Sequence, residues 1–262
     1  MRCAWVFAAV FIVFAAARAH AGAWTVEEGA VQTITTTTIS NASKAYDASG
    51  KATEPVRYNK VLTQAYIEYG LRNYVTVFAA PEYARARSGA PGGPVKGATA
   101  AAIATGARVR LMKDHGVLSL EGSYKTAGAF DTSVSVNQES GRQFELRLLY
   151  GTNFSLFGRE GFADLEIGQR WIAGARPDET PLDVTLGYRP WSGGTILLQS
   201  FNIFAAGNGR PPYRYYRSHK LSASLVQRIY RSTSVQIGGF FSPAGQGALD
   251  ETGFSFAVWE SF

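Results

Sequence analysis

From about Val26 to Phe262 the sequence is cut into short segments in which apolar residues recur at every second position, with polar residues between them. Successive side chains of a strand point to opposite sides, so this alternation predicts strands with one apolar and one polar face. Leu118, Leu120 and Tyr124 oppose Ser119, Glu121 and Lys125; Phe144, Leu146, Leu148 and Tyr150 oppose Gln143, Glu145 and Arg147. Near the start, Thr33 and Thr35 to Thr38 form a β-branched run that suits a strand and disfavours a helix. Twelve segments of this kind are counted, and only in the ninth, Thr195 to Phe204, is the alternation too weak to assign a face.

The connections carry a second pattern. Long and short links alternate: Asn41 to Tyr58 is long, Leu71 to Asn73 tight, Ser88 to Ala101 long, Lys113 to Gly116 short, Gly128 to Gly141 long. Bacterial outer-membrane barrels alternate short periplasmic turns with longer extracellular loops and have an even strand number. The expected fold is therefore all-β, a transmembrane antiparallel up-and-down β-barrel of about twelve strands. Alternation and charge alone fit a soluble barrel equally well, because either architecture leaves one face apolar and one polar.

The N-terminus helps to choose. Met1-Arg2 is followed by an apolar run, Ala4 to Ala17, and then by Ala19-His20-Ala21. That is the order of a secretory leader: a basic start, an apolar stretch and a small-residue cleavage site. Residues 1–21 are expected to be a signal peptide and 22–262 the barrel, with the cut after Ala21. A helical anchor would need about 20 spanning residues, more than this run supplies. The only cysteine, Cys3, lies in the segment to be removed, so the mature chain has no disulfide. Loss of Arg2 and Arg18 reduces 26 basic residues to 24 against 20 acidic ones, a balance that does not call for nucleic acid.

The polar face supplies the candidate lumen. Strand parity turns Glu68, Arg72, Arg108, Arg110, Glu121, Lys125, Glu145 and Arg147 inward, and with them Asp164, Glu166, Arg170, Asp183, Arg189 and Arg228. With Asp114 and His115 as a two-residue turn, Arg108 falls opposite Glu121 and Arg110 opposite Ser119. The inward set holds more bases than acids, so a conducting lumen is expected to prefer anions mildly.

The closing stretch, Glu251 to Phe262, places Phe254, Phe256, Val258 and Phe262 on one face, which Glu260 shares. A terminal Phe with apolar residues at alternate positions resembles the assembly signal of an outer-membrane barrel. With Tyr69-Gly70-Leu71, Gly106-Ala107-Arg108-Val109-Arg110-Leu111 and Gly187-Tyr188-Arg189-Pro190, the whole mature chain is similar to porin-like outer-membrane β-barrels of Gram-negative bacteria. Within that class it resembles the group near the outer-membrane proteins of phenol-degradation meta-pathways. The resemblance implies location in the cell outer membrane, lipid and lipopolysaccharide as surroundings, the barrel assembly machinery as a partner, and passage of small solutes without a cofactor. A non-conducting structural or assembly barrel is the alternative.

Some outer-membrane barrels are hydrolases that use Ser-His or Asp-His chemistry. After the leader only His115 and His219 remain, one in a turn and one with outward parity and no serine on its face. No metal-ligand cluster, P-loop or dinucleotide fingerprint occurs, so the chain is not expected to be an enzyme. The densest basic and aromatic run, which includes Tyr213, Arg214, Tyr215, Tyr216 and Arg217, is expected at the lipid interface, with an anion-contact role as the sharper reading.

Overall fold

The computed structural model describes residues 22–128, 141–211, 213 and 215–262. Its elements are β1 (Val31–Tyr46), β2 (Ala52–Arg72), β3 (Val75–Gly89), β4 (Lys96–Met112), β5 (Val117–Lys125) and β6 (Gln143–Leu156), followed by β7 (Arg159–Ile172), β8 (Glu179–Tyr188), β9 (Gly194–Ala205), β10 (Arg217–Tyr230), β11 (Thr233–Gln246) and β12 (Thr252–Ser261). Each strand pairs antiparallel with the next, and β1 pairs with β12 to close the ring. The seam runs from Gln32↔Ser261 to Asn41↔Thr252 and leaves no free edge.

The faces are distributed as in a lipid-exposed barrel. Phe254 is 77% exposed and Ile237 64%, whereas Glu68 is 3% and Arg108 4% exposed. Outward Leu146, Leu148, Leu165, Ile167, Leu186, Leu198, Leu221 and Leu225 make a continuous apolar belt. Full burial of one such side chain is worth roughly 1.5–3 kcal/mol, so a water-soluble barrel would turn this face inward. Aromatic residues flank the belt, Phe144 and Trp171 stacked at 5.6 Å towards the long-loop end, and Tyr69, Tyr150 and Tyr230 near the short-turn end. The ambiguity that alternation left open is thus resolved by which face meets the surroundings.

Both ends of the barrel chain, Val31 and Phe262, lie at the short-turn end, where their main chains exchange hydrogen bonds of 3.1 and 2.9 Å. In bacterial barrels this end faces the periplasm. The register expected for β4 and β5 is present at Arg108, opposite Glu121, and at Arg110, opposite Ser119; nearer the turn it shifts by one, so that Met112 rather than Leu111 lies opposite Leu118.

Two readings are revised. The long links are shorter than read, because β1 and β2 extend to Tyr46 and from Ala52, and β3 and β4 extend to Gly89 and from Lys96. Beyond the lipid belt the outward positions become polar, as at Arg57 and Asn59, and the two-faced signal fades although the hydrogen-bonded ladder continues. Asp47 closes the β1–β2 turn: the Ser49 hydroxyl, the Lys51 N–H and the Thr53 hydroxyl hold its carboxyl well below the usual carboxylate range. The ninth strand is assigned by pairing: Leu197, Gln199 and Phe201 face inward, so apolar residues occupy both of its faces and blur the alternation. Residues 1–21 and most of the Gly128 to Gly141 link lie outside the described residues.

Candidate functional site: the barrel lumen

The lumen divides into a braced half and an open half. In the braced half, β2 to β8 point charged residues at one another. Arg108 uses all five guanidinium donors: Nε and Nη2 to Glu121 at 2.9 and 2.7 Å, Nη1 to Glu68 at 2.9 Å and to the Trp24 carbonyl at 3.0 Å, and Nη2 to the Tyr66 hydroxyl at 3.2 Å. Arg147 holds Glu145, Glu166 at 2.8 Å and Asp183 at 2.7 Å. Arg170 links Glu145 to Glu179, and Arg176 donates to Glu179 at 2.7 Å. Lys125 pairs with Glu82 at 2.8 Å. A buried charge is tolerated only when paired and hydrogen-bonded, and each of these guanidiniums is paired with at least one carboxylate.

The segment before β1, residues 22–30, enters the lumen from the short-turn end and lies against that ladder. The Ala23 N–H donates to Asp164 Oδ1 at 2.8 Å, Ser119 Oγ donates to the Ala23 carbonyl at 2.5 Å, and the Val26 N–H donates to Thr76 Oγ1 at 2.8 Å. Trp24 meets Phe162 edge to face at 5.7 Å and packs beside Val117 and Leu149. Its ring crosses so close to β6 that a Cβ on Gly151 would lie 2.6 Å from it, which leaves glycine as the residue that fits there.

The open half is bounded by β8 to β12 and β1, and it encloses a cavity of about 1520 Å³. Thr36, Thr38, Gln199, Ser222, Ser234 and Gln236 supply its polar wall, and Phe162, Phe201, Phe240 and Trp259 its aromatic one. Six basic side chains border it, Lys60, Arg159, Arg189, Lys220, Arg228 and Arg231, against Glu27 and Glu160. Arg159, Trp191, Arg231 and Phe262 mark its mouth at the short-turn end.

At the opposite end the β11–β12 link folds inward. Fully buried Glu251 accepts from Ser40 Oγ and Lys220 Nζ at 2.5 Å each and lies 3.6 Å from Lys60 Nζ. Beyond this latch Leu249 packs against the inner wall with Ala42, Ala45, Tyr58 and Ala86. Main-chain bonds from Tyr46 to Ala248 and from Asp250 to Lys44, 2.7 and 3.0 Å, seat the link.

The residues singled out from parity fall into separate groups. Glu68, Arg108, Glu121, Glu145, Arg147, Asp164, Glu166, Arg170 and Asp183 are brought together in the braced half, and Arg110 joins them by donating to Thr25 Oγ1 at 3.1 Å. Lys125 stands above them with Glu82. Arg189 and Arg228 border the cavity. Arg72 departs from the expectation: it sits at the exposed rim, paired with Glu28 at 2.9 Å, because β2 ends there in a register shift. Of the interface run, Tyr215 and Arg217 are exposed, Tyr213 is half-buried and Arg214 lies outside the described residues. Tyr216 corrects the expectation, for it is fully buried and its hydroxyl meets Glu179 and Arg176 rather than lipid. His115 lies in its turn, where its carbonyl accepts from Tyr150, and His219 bonds Asn202 at 2.9 Å. Phe254, Phe256, Val258 and Phe262 share the outward face. Glu251, Lys60 and Trp24 were missed by parity, since their roles come from an inward-folded link and an inserted segment.

No family model matches the sequence, and no curated protein matches it at a significant level. Among solved structures the chain is similar to the COG4313 outer membrane channel from Pseudomonas putida F1, with a TM-score of 0.74 at 11% identity over 94% of this chain and 100% of that one. It is also similar to the translocator domain of the autotransporter NalP from Neisseria meningitidis, TM-score 0.56, 11% identity, 90% of each chain. The beta domain of the Bordetella autotransporter BrkA gives 0.52 at 13% identity over 90% of this chain and 100% of that one. The fold is that of a twelve-stranded outer-membrane β-barrel.

Proposed function

We propose that the protein is an outer-membrane channel for small solutes whose open half prefers anions. The observation that carries this reading is the off-centre cavity, which is polar along β1 and β10, open at the short-turn end and bordered by more bases than acids. Fixed positive charge along a narrow polar path raises the local concentration of anions. Of the carboxylates that parity counted against it, all but Asp164 are paired with arginines in the other half. The likeness in fold to the COG4313 outer membrane channel is in keeping with this reading. On this reading the inward link at Glu251 is a latch over the path, and its release is the opening step.

The leader and the outward Phe254, Phe256, Val258 and Phe262 support delivery by the barrel assembly machinery. The exposure of Tyr215 and Arg217 supports a contact with lipopolysaccharide. Single-channel recording of the refolded mature protein in a planar bilayer tests the function. Discrete conductance steps with an anion-directed reversal potential in a salt gradient are expected. Absence of steps in both the wild type and a Glu251→Gln variant would leave the non-conducting barrel as the reading.

A further inference from the structure

Gly22, the first described residue of the inserted segment, presses on a carboxylate. Gly22 has a φ of 92°, in the left-handed region that favours glycine, and a Cβ built there would lie 2.3 Å from the carboxyl carbon and both oxygens of Asp164. With a carbon–carbon bond of about 1.5 Å, the Gly22 Cα is within ~4 Å of that carboxylate. Asp164 is 3% exposed and already accepts the Ala23 N–H.

Asp164 also lies in an unbalanced neighbourhood. Among the described residues no lysine or arginine lies within ion-pair distance of it: Arg108 is taken by Glu68 and Glu121, and Arg147 by Glu145, Glu166 and Asp183. The ladder as a whole sets seven carboxylates (Glu68, Glu121, Glu145, Asp164, Glu166, Glu179, Asp183) against five guanidiniums (Arg108, Arg110, Arg147, Arg170, Arg176). A buried acid cluster of this composition lacks positive charge. Asp164, whose carboxyl otherwise meets the Ala23 N–H and the Glu166 carboxyl, lies against the residue expected to become the first of the mature chain.

We propose that the α-ammonium group of Gly22, created when residues 1–21 are removed, is the cation that pairs with Asp164, so that leader processing completes the ladder and pins the inserted segment. The proposal rests on the leader reading, with the cut after Ala21. Hydrolysis of the Ala21–Gly22 peptide bond by a leader peptidase consumes one water and leaves a carboxylate on Ala21 and an amine on Gly22. That amine takes up a proton at neutral pH, since α-amino groups titrate near 7.7–8.0, roughly. Before cleavage the same nitrogen is an uncharged amide with one donor; afterwards it carries a full charge and three. The Asp164 site is thereby made specific for a free N-terminus that begins with glycine.

Mass spectrometry of protein isolated from outer membranes tests the cut separately. A mature chain starting at Gly22 is expected, and any other start rejects the leader reading and the pair together. For the pair itself, the folded mature protein is labelled with an amine-reactive acylating reagent at neutral pH and modification of the N-terminus is followed. Asp164→Asn keeps an oxygen for the Ala23 N–H but loses the charge, so labelling is expected to be at least tenfold faster in that variant. Equal rates would overturn the proposal. A second measurement adds one alanine before Gly22, which displaces the ammonium. The extension is expected to lower the unfolding midpoint of the wild type and to have no further effect in Asp164→Asn; independent, additive effects would overturn the proposal.

Discussion

Arg108 of β4 donates from Nη1 to the main-chain carbonyl of Trp24 at 3.0 Å, tying the barrel wall to a segment that precedes the first strand. The same guanidinium neutralises Glu68 and Glu121. Arg108→Met is therefore expected to destabilise the barrel by about 3–5 kcal/mol, the cost of leaving buried carboxylates without their cation. Because Arg108 does not border the cavity, its loss is expected to leave the reversal potential unchanged. Urea unfolding in vesicles and a salt-gradient recording check the two halves of this statement.

The two faces of β10 predict unequal tolerance of charge. Leu225 points outward and Ser222 borders the cavity, three residues away on the same strand. Leu225→Arg is expected to cost about 2–4 kcal/mol, as for arginine near the midplane of a barrel. Ser222→Arg places its charge in the open half and is expected to cost under about 1 kcal/mol while narrowing the conductance. Equal losses in urea titrations would mean that the assigned faces are wrong.

Selectivity is expected to follow the cavity border rather than the whole inward inventory. Arg189→Ala combined with Arg228→Ala removes two of its six bases. The expected result is a reversal potential shifted towards cations with little change in the unfolding midpoint. A shift towards anions would contradict the path.

Glu251 holds two lysines from opposite sides, Lys60 on β2 and Lys220 on β10. Glu251→Gln removes the charge and leaves the two ammonium groups to repel each other. Open time in single-channel records is expected to rise at least about tenfold, a shift of roughly 1.4 kcal/mol in the opening equilibrium. An unchanged open fraction would show that the link does not control access.

Asp47 predicts a local pH dependence. Its carboxyl is held below the usual range in the folded turn, so its contribution is full above the unfolded value of about 3.9 and fades as the pH falls from there. Amide exchange at Ser49 and Lys51 is expected to accelerate under acid in the wild type and to be fast throughout in Asp47→Ala. Exchange at barrel positions such as Leu148 is expected not to follow it.

How much of this was legible follows from where each interaction is encoded. The wall was, because a two-residue period forces alternate side chains to opposite faces and a short turn fixes its neighbours' register, as with Arg108 and Glu121. The partition of the lumen was not. Parity turns Arg108 and Arg228 inward alike, yet only the second borders the cavity, because partners for the first come from β2, β5 and the segment before β1. Tyr216 reads as an interfacial aromatic until Arg176 and Glu179, more than thirty positions away, are seen to enclose it. Phe201 made β9 look less regular than it is, since an aromatic beside an empty space need not face lipid.

In a ring of twelve strands β1 and β7 stand opposite each other, six steps apart in either direction. The nine residues before β1 pass β3 at Thr76, β4 at Arg108 and β5 at Ser119 before they reach β7 at Asp164, so they form an inner lining along one half of the circumference. A hoop lined along one arc is stiffened there and keeps its compliance over the other arc. Here the unlined arc runs from β8 to β12 and bounds the cavity. The cross-section therefore has one stiff side and one soft side, and the soft one is the side on which the path for solute widens.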